Sequence, residues 1–356
     1  MKILVISLAG IGDTMLATPL IRELRSNFPD ARIDALVLWA GSKDLLTGNP
    51  NLNTIYQRNF LKTSTAATLR FLWPLRRTGY DLSINTHPQS RIHYRGTAWV
   101  VGARTRISHT YECSGALDRL LVNQVLPQDY RKHSVENNLE LLSLLQKKPA
   151  LPVHSLEVFL GTTEERWADS FVKTHDLGLR QSLGIHVGSG GTKNLSLKRW
   201  PLDHYAALIN RLTEALPELA ILLFGGPEED PELEKIMSAN KSPRIIRVRS
   251  ENLRQAGALM KRCTAFLSVD TALMHLAAAV KTPGQIVIEA PTFNKTNEPY
   301  GNPYVLVPNP AVAGRNLEYY RYDGRGIHGT REELMRLMAS VSVESVLASV
   351  RSVLAR

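Results

Sequence analysis

The chain has 356 residues, of which 44% are hydrophobic, 7% aromatic and 21% charged, proportions that exclude a disordered or fibrous chain and predict two globular α/β domains. A formal net charge of +10 favours an anionic partner, but the basic residues are dispersed and no nucleic-acid motif occurs, so a nucleotide or an anionic membrane surface ranks ahead of nucleic acid. Cys113 and Cys263, the only cysteines, lie far apart with no CxxC spacing, which excludes a disulfide framework and a structural zinc site and fits a reducing compartment.

The apolar run from Ile3 to Leu8 is too short for a signal peptide and is broken by Gly12-Asp13; no run of about 18 apolar residues follows, so no membrane span is expected. Residues 2–8 predict a buried strand, 9–12 a turn and 13–28 a helix with Leu16, Leu20, Leu24 and Phe28 at four-residue spacing. Pro19 predicts a kink there, or a helix that begins near Thr18. Gly10-x-Gly12 imitates a dinucleotide fingerprint, but Met15 takes the third glycine position and the acid after the second strand is missing. The two glycines fit a tight turn that exposes Asp13 at a helix start. Asp13 then has two compatible readings, a helix N-cap or a general base at the carboxyl edge of the first strand.

Further strands are expected at 33–38 and 81–85, and residues 69–77 mix Phe71, Trp73 and Leu75 with Arg70, Arg76 and Arg77. Arg91, His93, Arg95, Arg104 and Arg106 follow the next strand edge, as scattered surface cations or as a face for an anionic acceptor. Ser134 suits the N-cap of a helix carrying Leu139, Leu142 and Leu145, which Lys147-Lys148-Pro149 ends. The domain boundary is expected between 173 and 182.

Beyond it, residues 184–187, 219–224, 245–249, 265–269 and 285–289 read as short buried strands. They end in Gly188-Ser189-Gly190-Gly191, Gly225-Gly226-Pro227-Glu228-Glu229, Ser250-Glu251-Asn252, Asp270-Thr271 and Ala290-Pro291-Thr292. The first four lead into helical patterns, so a parallel sheet should bring all five loops to one edge, where helix N-termini meet anions. Lys198, ahead of a helix for which Pro201 suits N1, could neutralise a diphosphate, with Lys193 of the same loop as its competitor. Glu229 could accept from ribose hydroxyls or sit in a helix's first turn; His275 could donate to phosphate or serve the structure. Asp-x-Asp, HExxH, clustered Cys/His, GxSxG and Walker A patterns are all absent, which disfavours a dedicated metal site, an α/β-hydrolase and a P-loop enzyme.

Several motifs, taken in order, resemble glycosyltransferase family 9, the ADP-heptose:lipopolysaccharide heptosyltransferases, over most of the chain. They are Gly12-Asp13-Thr14-Met15-Leu16 with Pro19, Asn49-Pro50, Tyr80-Asp81-Leu82-Ser83-Ile84-Asn85, Lys198-Arg199-Trp200-Pro201, Phe224-Gly225-Gly226-Pro227-Glu228-Glu229, and Ser268-Val269-Asp270-Thr271-Ala272-Leu273-Met274-His275. The resemblance implies a GT-B fold of two Rossmann-like domains facing across a cleft: 1–175 for the acceptor, 182–340 for the nucleotide sugar, and a C-terminal helix, 341–356, that could pack back on the N-terminal domain. It implies inverting, metal-independent, cofactor-free transfer from ADP-heptose, or another nucleotide sugar, to an anionic glycolipid of the lipopolysaccharide inner core. The enzyme would be cytoplasmic, in peripheral contact with the inner face of the cytoplasmic membrane, with no nucleic-acid partner.

Carried over residue by residue, Asp13 is the base and Lys198 stabilises the leaving group. Gly12, Gly188, Ser189, Lys198, Glu229, Asp270, Thr271, Ala272 and His275 fall in the donor site, and His87, Arg91 and Arg95 on the acceptor side. Ala272 replaces a usual glycine and Glu289-Ala290-Pro291-Thr292 a usual Phe-Gly-Pro-Thr, each added methyl narrowing the approach to a diphosphate, and the 190–197 loop is longer. The donor sugar therefore stays open. So do a family member with a protein or small-molecule acceptor and a non-catalytic nucleotide-binding module.

Overall fold

The Val-, Ile- and Leu-rich runs form two parallel sheets in the computed structural model, which describes residues 1–178, 180–190 and 194–356. The first holds β1 (Lys2–Ser7), β2 (Arg32–Val37), β3 (Thr54–Gln57), β4 (Leu82–Asn85), β5 (Thr105–Thr110) and β6 (Gln124–Pro127), in the order β3-β2-β1-β4-β5-β6. The second holds β7 (Ser182–His186), β8 (Ala220–Phe224), β9 (Ile245–Arg247), β10 (Ala265–Ser268), β11 (Gly284–Ile288) and β12 (Tyr304–Val307), in the order β12-β11-β10-β7-β8-β9. Numbered within its own half, each sheet has the doubly wound order 3-2-1-4-5-6, with its switch point between β1 and β4 or between β7 and β10. Four strands escaped the sequence reading: β3, β6 and β12 at sheet edges and β5 beside one, all only partly buried; β3, β5 and β6 lack a sustained apolar run, and that of β12, Tyr304–Val307, is only four residues long between prolines.

Around the first sheet run α1 (Ile11–Leu16), α2 (Thr18–Asn27), α3 (Ala40–Leu46), α4 (Thr65–Thr78), α5 (Ile92–Val101), α6 (Ala116–Leu121) and α7 (Ser134–Glu140). The helix expected over 13–28 divides at Ala17, placing Pro19 in the first turn of α2, where its missing N–H is tolerated. Ser134 is not the cap of α7. His133 is, through an Nδ1 that accepts the Val135 N–H at 3.1 Å. Leu72 and Leu75 of α4 and Ala98 and Val101 of α5 share one core with Leu4 and Ile6 of β1.

Around the second sheet run α8 (Thr162–Thr174), α9 (Leu202–Ala215), α10 (Asp230–Ala239), α11 (Leu253–Met260), α12 (Ala272–Ala279), α13 (Asn316–Tyr319), α14 (Arg331–Ala339) and α15 (Val343–Leu354). Pro201 lies one residue outside α9, as its cap rather than its first residue. The chain divides into a first unit, Met1–Phe159 with Tyr322–Gly324, and a second, Leu160–Arg321 with Arg325–Arg356. That division precedes the expected 173–182 boundary because α8 packs on α11 in the second unit, with Glu164 paired to Arg254 at 3.1 Å. α15 likewise belongs to the second unit: Val346, Val350 and Leu354 enter the core of β7, β10 and β11. Among the described residues no single helix is long and apolar enough to cross a membrane.

Candidate functional site

Parallel pairing in the second sheet aligns the carboxyl ends of β7, β8, β10 and β11. Because β10 stops at Ser268, Asp270 and Thr271 emerge just before α12, and Thr271 caps that helix by accepting the Met274 N–H at 3.3 Å. The Thr271 hydroxyl also meets His186 Nδ1 at the end of β7, 3.2 Å away. Asp270 Oδ2 collects three donors: Lys198 Nζ at 3.2 Å, Thr292 Oγ1 at 2.6 Å and Asn297 Nδ2 at 3.0 Å. Burial raises the Asp270 carboxyl pKa, but the Lys198 and His275 charges and the Thr292 bond outweigh it and hold Asp270 below the usual range. Burial, with Arg199 and Lys198 nearby, pushes His186 down to about 3 and keeps it neutral.

Glu229 occupies a helical first turn, one of the two readings offered for it, but is buried there. Its Oε2 accepts the Gly226 N–H at 2.8 Å in the first turn after β8, while Oε1 lies 3.6 Å from Arg199. Burial raises its pKa. A Cβ at Gly188 would stand 2.4 Å from Glu229 Oε1, so only glycine admits this close approach. Arg199 donates to the Ser189 carbonyl at 2.8 Å, to Ser189 Oγ at 3.2 Å and to Glu232 at 2.8 Å. Ser189, Lys198, Glu229, Asp270, Thr271 and His275 thus converge at one sheet edge. Ala272 opens α12 at a half-buried position. Ala290 corrects the expectation of a methyl intruding on the ligand space, because its side chain packs in the hydrophobic core. Lys193 lies outside the described residues.

In the first unit, Asp13 caps α1, though not as N-cap. Gly10 holds that position, and Asp13, three residues on, accepts the Gly10 N–H through Oδ2 at 2.6 Å. Gly12, beside it, lies within the first turn of α1. Thr14 Oγ1 fastens the same turn, donating to the Gly10 carbonyl at 3.2 Å and lying 2.9 Å from Ser42 Oγ. Gln89 joins the ends of β1 and β4: its Oε1 accepts the Leu8 N–H at 3.4 Å and its Nε2 donates to the Thr86 carbonyl at 3.0 Å. Tyr94 is raised chiefly by burial, with Arg91 opposing and Asp13 adding to the shift, so these three side chains share one electrostatic neighbourhood.

Two residues expected on the acceptor side are instead buried supports. His87 is enclosed, its N–H bonded to Asn138 Oδ1 at 2.7 Å and its Nδ1 3.1 Å from the Tyr111 hydroxyl, and burial holds it neutral. Arg95 is buried against Asp118, with further bonds to the Gln89 and Ser90 carbonyls at 2.8 and 3.1 Å. Arg91 stays partly exposed and donates to the Gly324 carbonyl at 2.7 Å. Beside Tyr111 a cavity of about 470 Å³ opens between β5, β6 and α6, walled by His109, Ser114 and Arg119.

Sequence reasoning missed His186, Thr292, Asn297, Tyr94 and Gln89 and passed over Arg199. Arg199, adjoining Lys198, and Thr292, in the loop after the 285–289 strand, carried a positional signal; His186 ends β7 and Tyr94 lies on α5, while Gln89 and Asn297 reach the sites from loops. Among the described residues no group of three His, Cys, Asp or Glu side chains could hold a metal ion.

Residues 68–319 match the family model described as glycosyltransferase family 9 (heptosyltransferase). Lipopolysaccharide heptosyltransferase 3 of Escherichia coli is 27% identical over 282 residues, covering 76% of this chain and 78% of that protein. The glycosyl transferase family 9 structure from Veillonella parvula superposes with a TM-score of 0.78 at 18% identity, covering 99% of this chain and 97% of that one. The E. coli ADP-heptose lipopolysaccharide heptosyltransferase II superposes at 0.72 with 21% identity, covering 100% and 99%. The fold is therefore shared with these solved proteins.

Proposed function

The chain belongs to glycosyltransferase family 9, and we propose that it moves a heptose from ADP-heptose, with inversion and without a metal, to an anionic glycolipid of the lipopolysaccharide inner core. The observation that supports this most is the set at the ends of β7, β8 and β10: a cation, Lys198, buried against Asp270 at 3.2 Å beside the start of α12. A helix start with a neighbouring cation suits a nucleoside diphosphate, stabilising charge that develops as it departs. The named relative is itself a lipopolysaccharide heptosyltransferase, and one solved protein of the same fold is an ADP-heptose enzyme.

In this reading Asp13 takes the proton from the attacking acceptor hydroxyl. The Gly10 N–H that its Oδ2 accepts holds the carboxylate in one orientation. Lys198 and the α12 N-terminus hold the diphosphate, Glu229 reads the ribose, and Arg91 and Arg119 offer charge to the acceptor. The acceptor's lipid places the work at the cytoplasmic face of a membrane. Ala272, half-buried at the first residue of α12, is the observation that favours a second reading, a different nucleotide sugar.

Calorimetric titration with ADP-, UDP- and GDP-sugars, followed by transfer assays in excess EDTA, tests both readings. Tightest binding of ADP-heptose and undiminished turnover in chelator are expected. Preference for a UDP- or GDP-sugar would establish the second reading, strict Mg²⁺ or Mn²⁺ dependence would overturn the metal-free chemistry, and donor binding without turnover on any glycolipid would leave a binding module.

A further inference from the structure

Exposed apolar side chains normally lie scattered. Here Leu69 and Trp73 stand exposed on α4, Ile92 and Trp99 on α5, and Leu117 and Leu120 on α6, while Met1, Leu61, Val153, Met237 and Met335 are exposed elsewhere along the chain. α4 packs on α5 and α5 on α6, so their outer sides are neighbours. Leu69, Trp73 and Arg77 recur every four residues, and Ile92, Gly96 and Trp99 follow the same helical repeat, so each set forms a stripe. The sheet does not use these stripes, since α4 buries Leu72 and Leu75 and α5 buries Tyr94, Ala98 and Val101. Trp73 and Trp99 are each 55% exposed. Arg76 on α4 donates to the Val100 carbonyl on α5 at 2.9 Å, which fastens the two helices that present them.

Charge selects the partner. From residue 45 to 111 the only acid is Asp81, which accepts the Lys2 N–H at 2.8 Å, while Lys62, Arg70, Arg76, Arg77 and Arg104 are exposed. The one acid on α4, α5 and α6 is Asp118, buried against Arg95 and the Gly115 N–H. The Arg77 guanidinium lies 6.0 Å from the Trp73 ring centre, a pairing of indole and cation. Indoles settle at headgroup depth, leucines reach the acyl boundary and guanidinium groups bind phosphate. Nucleic acid would use the arginines but not Leu117 and Leu120.

We propose that the outer faces of α4, α5 and α6 form a docking surface for an anionic phospholipid bilayer, with Trp73 and Trp99 entering the headgroup layer and Arg70 and Arg77 on lipid phosphates. The proposal rests on the glycolipid acceptor for its purpose only, and its test contains no acceptor, so the two can fail separately.

Full-length protein is floated with vesicles of phosphatidylglycerol and phosphatidylethanolamine, or of phosphatidylcholine alone, with circular dichroism confirming that every variant is folded. Binding to the anionic vesicles, weakening as salt rises, is expected. Trp73→Ser/Trp99→Ser should lower that binding by at least about tenfold, and Arg70→Glu/Arg77→Glu by more, each arginine being worth about fivefold. Met335→Ser, an exposed apolar side chain outside these helices, should leave it unchanged. Equal binding to phosphatidylcholine, or tryptophan and arginine variants that bind like the parent, would overturn the proposal. So would tighter binding to duplex DNA than to anionic vesicles, or a dimer in solution that the tryptophan substitutions dissociate.

Discussion

The two sheets share a strand order yet finish their carboxyl edges in opposite ways. Beyond β7, β8 and β10 the second unit gathers charge, with Lys198 on Asp270 and Arg199 between Ser189, Glu229 and Glu232. Beyond β4 and along the end of β5 the first unit gathers groups that burial keeps neutral, His87, His109 and Tyr111, and beyond β1 it holds one acid at a helix start, Asp13. The contrast follows from the chemistry each edge is proposed to serve. A diphosphate needs fixed positive charge, whereas a base must retain an affinity for protons that a crowd of cations would remove. One topology therefore supports two electrostatic designs, decided by loop residues.

The largest effect expected is at Asp13. Asp13→Asn keeps an oxygen that can accept the Gly10 N–H, so melting temperature and donor affinity should hold while turnover falls by about two to four decades. Turnover unchanged on the true acceptor would reduce Asp13 to its cap and remove the first unit's half of the contrast. Next comes Lys198→Ala, expected to cost about one to two decades in donor affinity or rate, with the acceptor KM unmoved. A mild loss there, matched by a severe one in Lys193→Ala, would transfer the diphosphate contact to Lys193.

The neutral groups predict a pH dependence shared by both units. Below the ordinary histidine value of 6.5 the unfolded chain protonates His109 and His186, while the folded chain refuses the proton down to about 4 and about 3. Stability should therefore fall as pH falls through that window, by about 1.4 kcal/mol per pH unit for each histidine. His109→Phe should remove its share, flattening the thermal-denaturation profile between about pH 6.5 and 4.5 relative to the parent, without affecting donor binding. An unaltered profile would show that His109 is protonated in the fold. The smallest effect is expected for Asn297→Ala, which removes one of three donors to Asp270: roughly threefold to tenfold in donor affinity by calorimetry, and no change in acceptor KM.

How much of this was legible depended on how local the cause was. Strands β1, β2 and β4 and most of the second sheet showed as buried apolar runs, and the strand-to-helix junctions at Asp13, Glu229 and Asp270 followed from them, because alternation, turn residues and helix starts are set by neighbours along the chain. Edge strands such as β3 and β6 lacked that signal, since a half-exposed strand owes its pairing to a neighbour distant in sequence.

The sequence by itself determined two doubly wound α/β units and the positions where each sheet edge would carry chemistry. Only the tertiary structure decided what those side chains touch. It buried Arg95 against Asp118 and His87 under Tyr111, turned Ala290 into the core, set Lys198 and Asn297 on Asp270, and moved α8 and α15 into the second unit. Each of these depends on residues far apart in the chain. Burial and partnership, which decide whether a charge is free to meet a ligand, arise only when distant segments pack together.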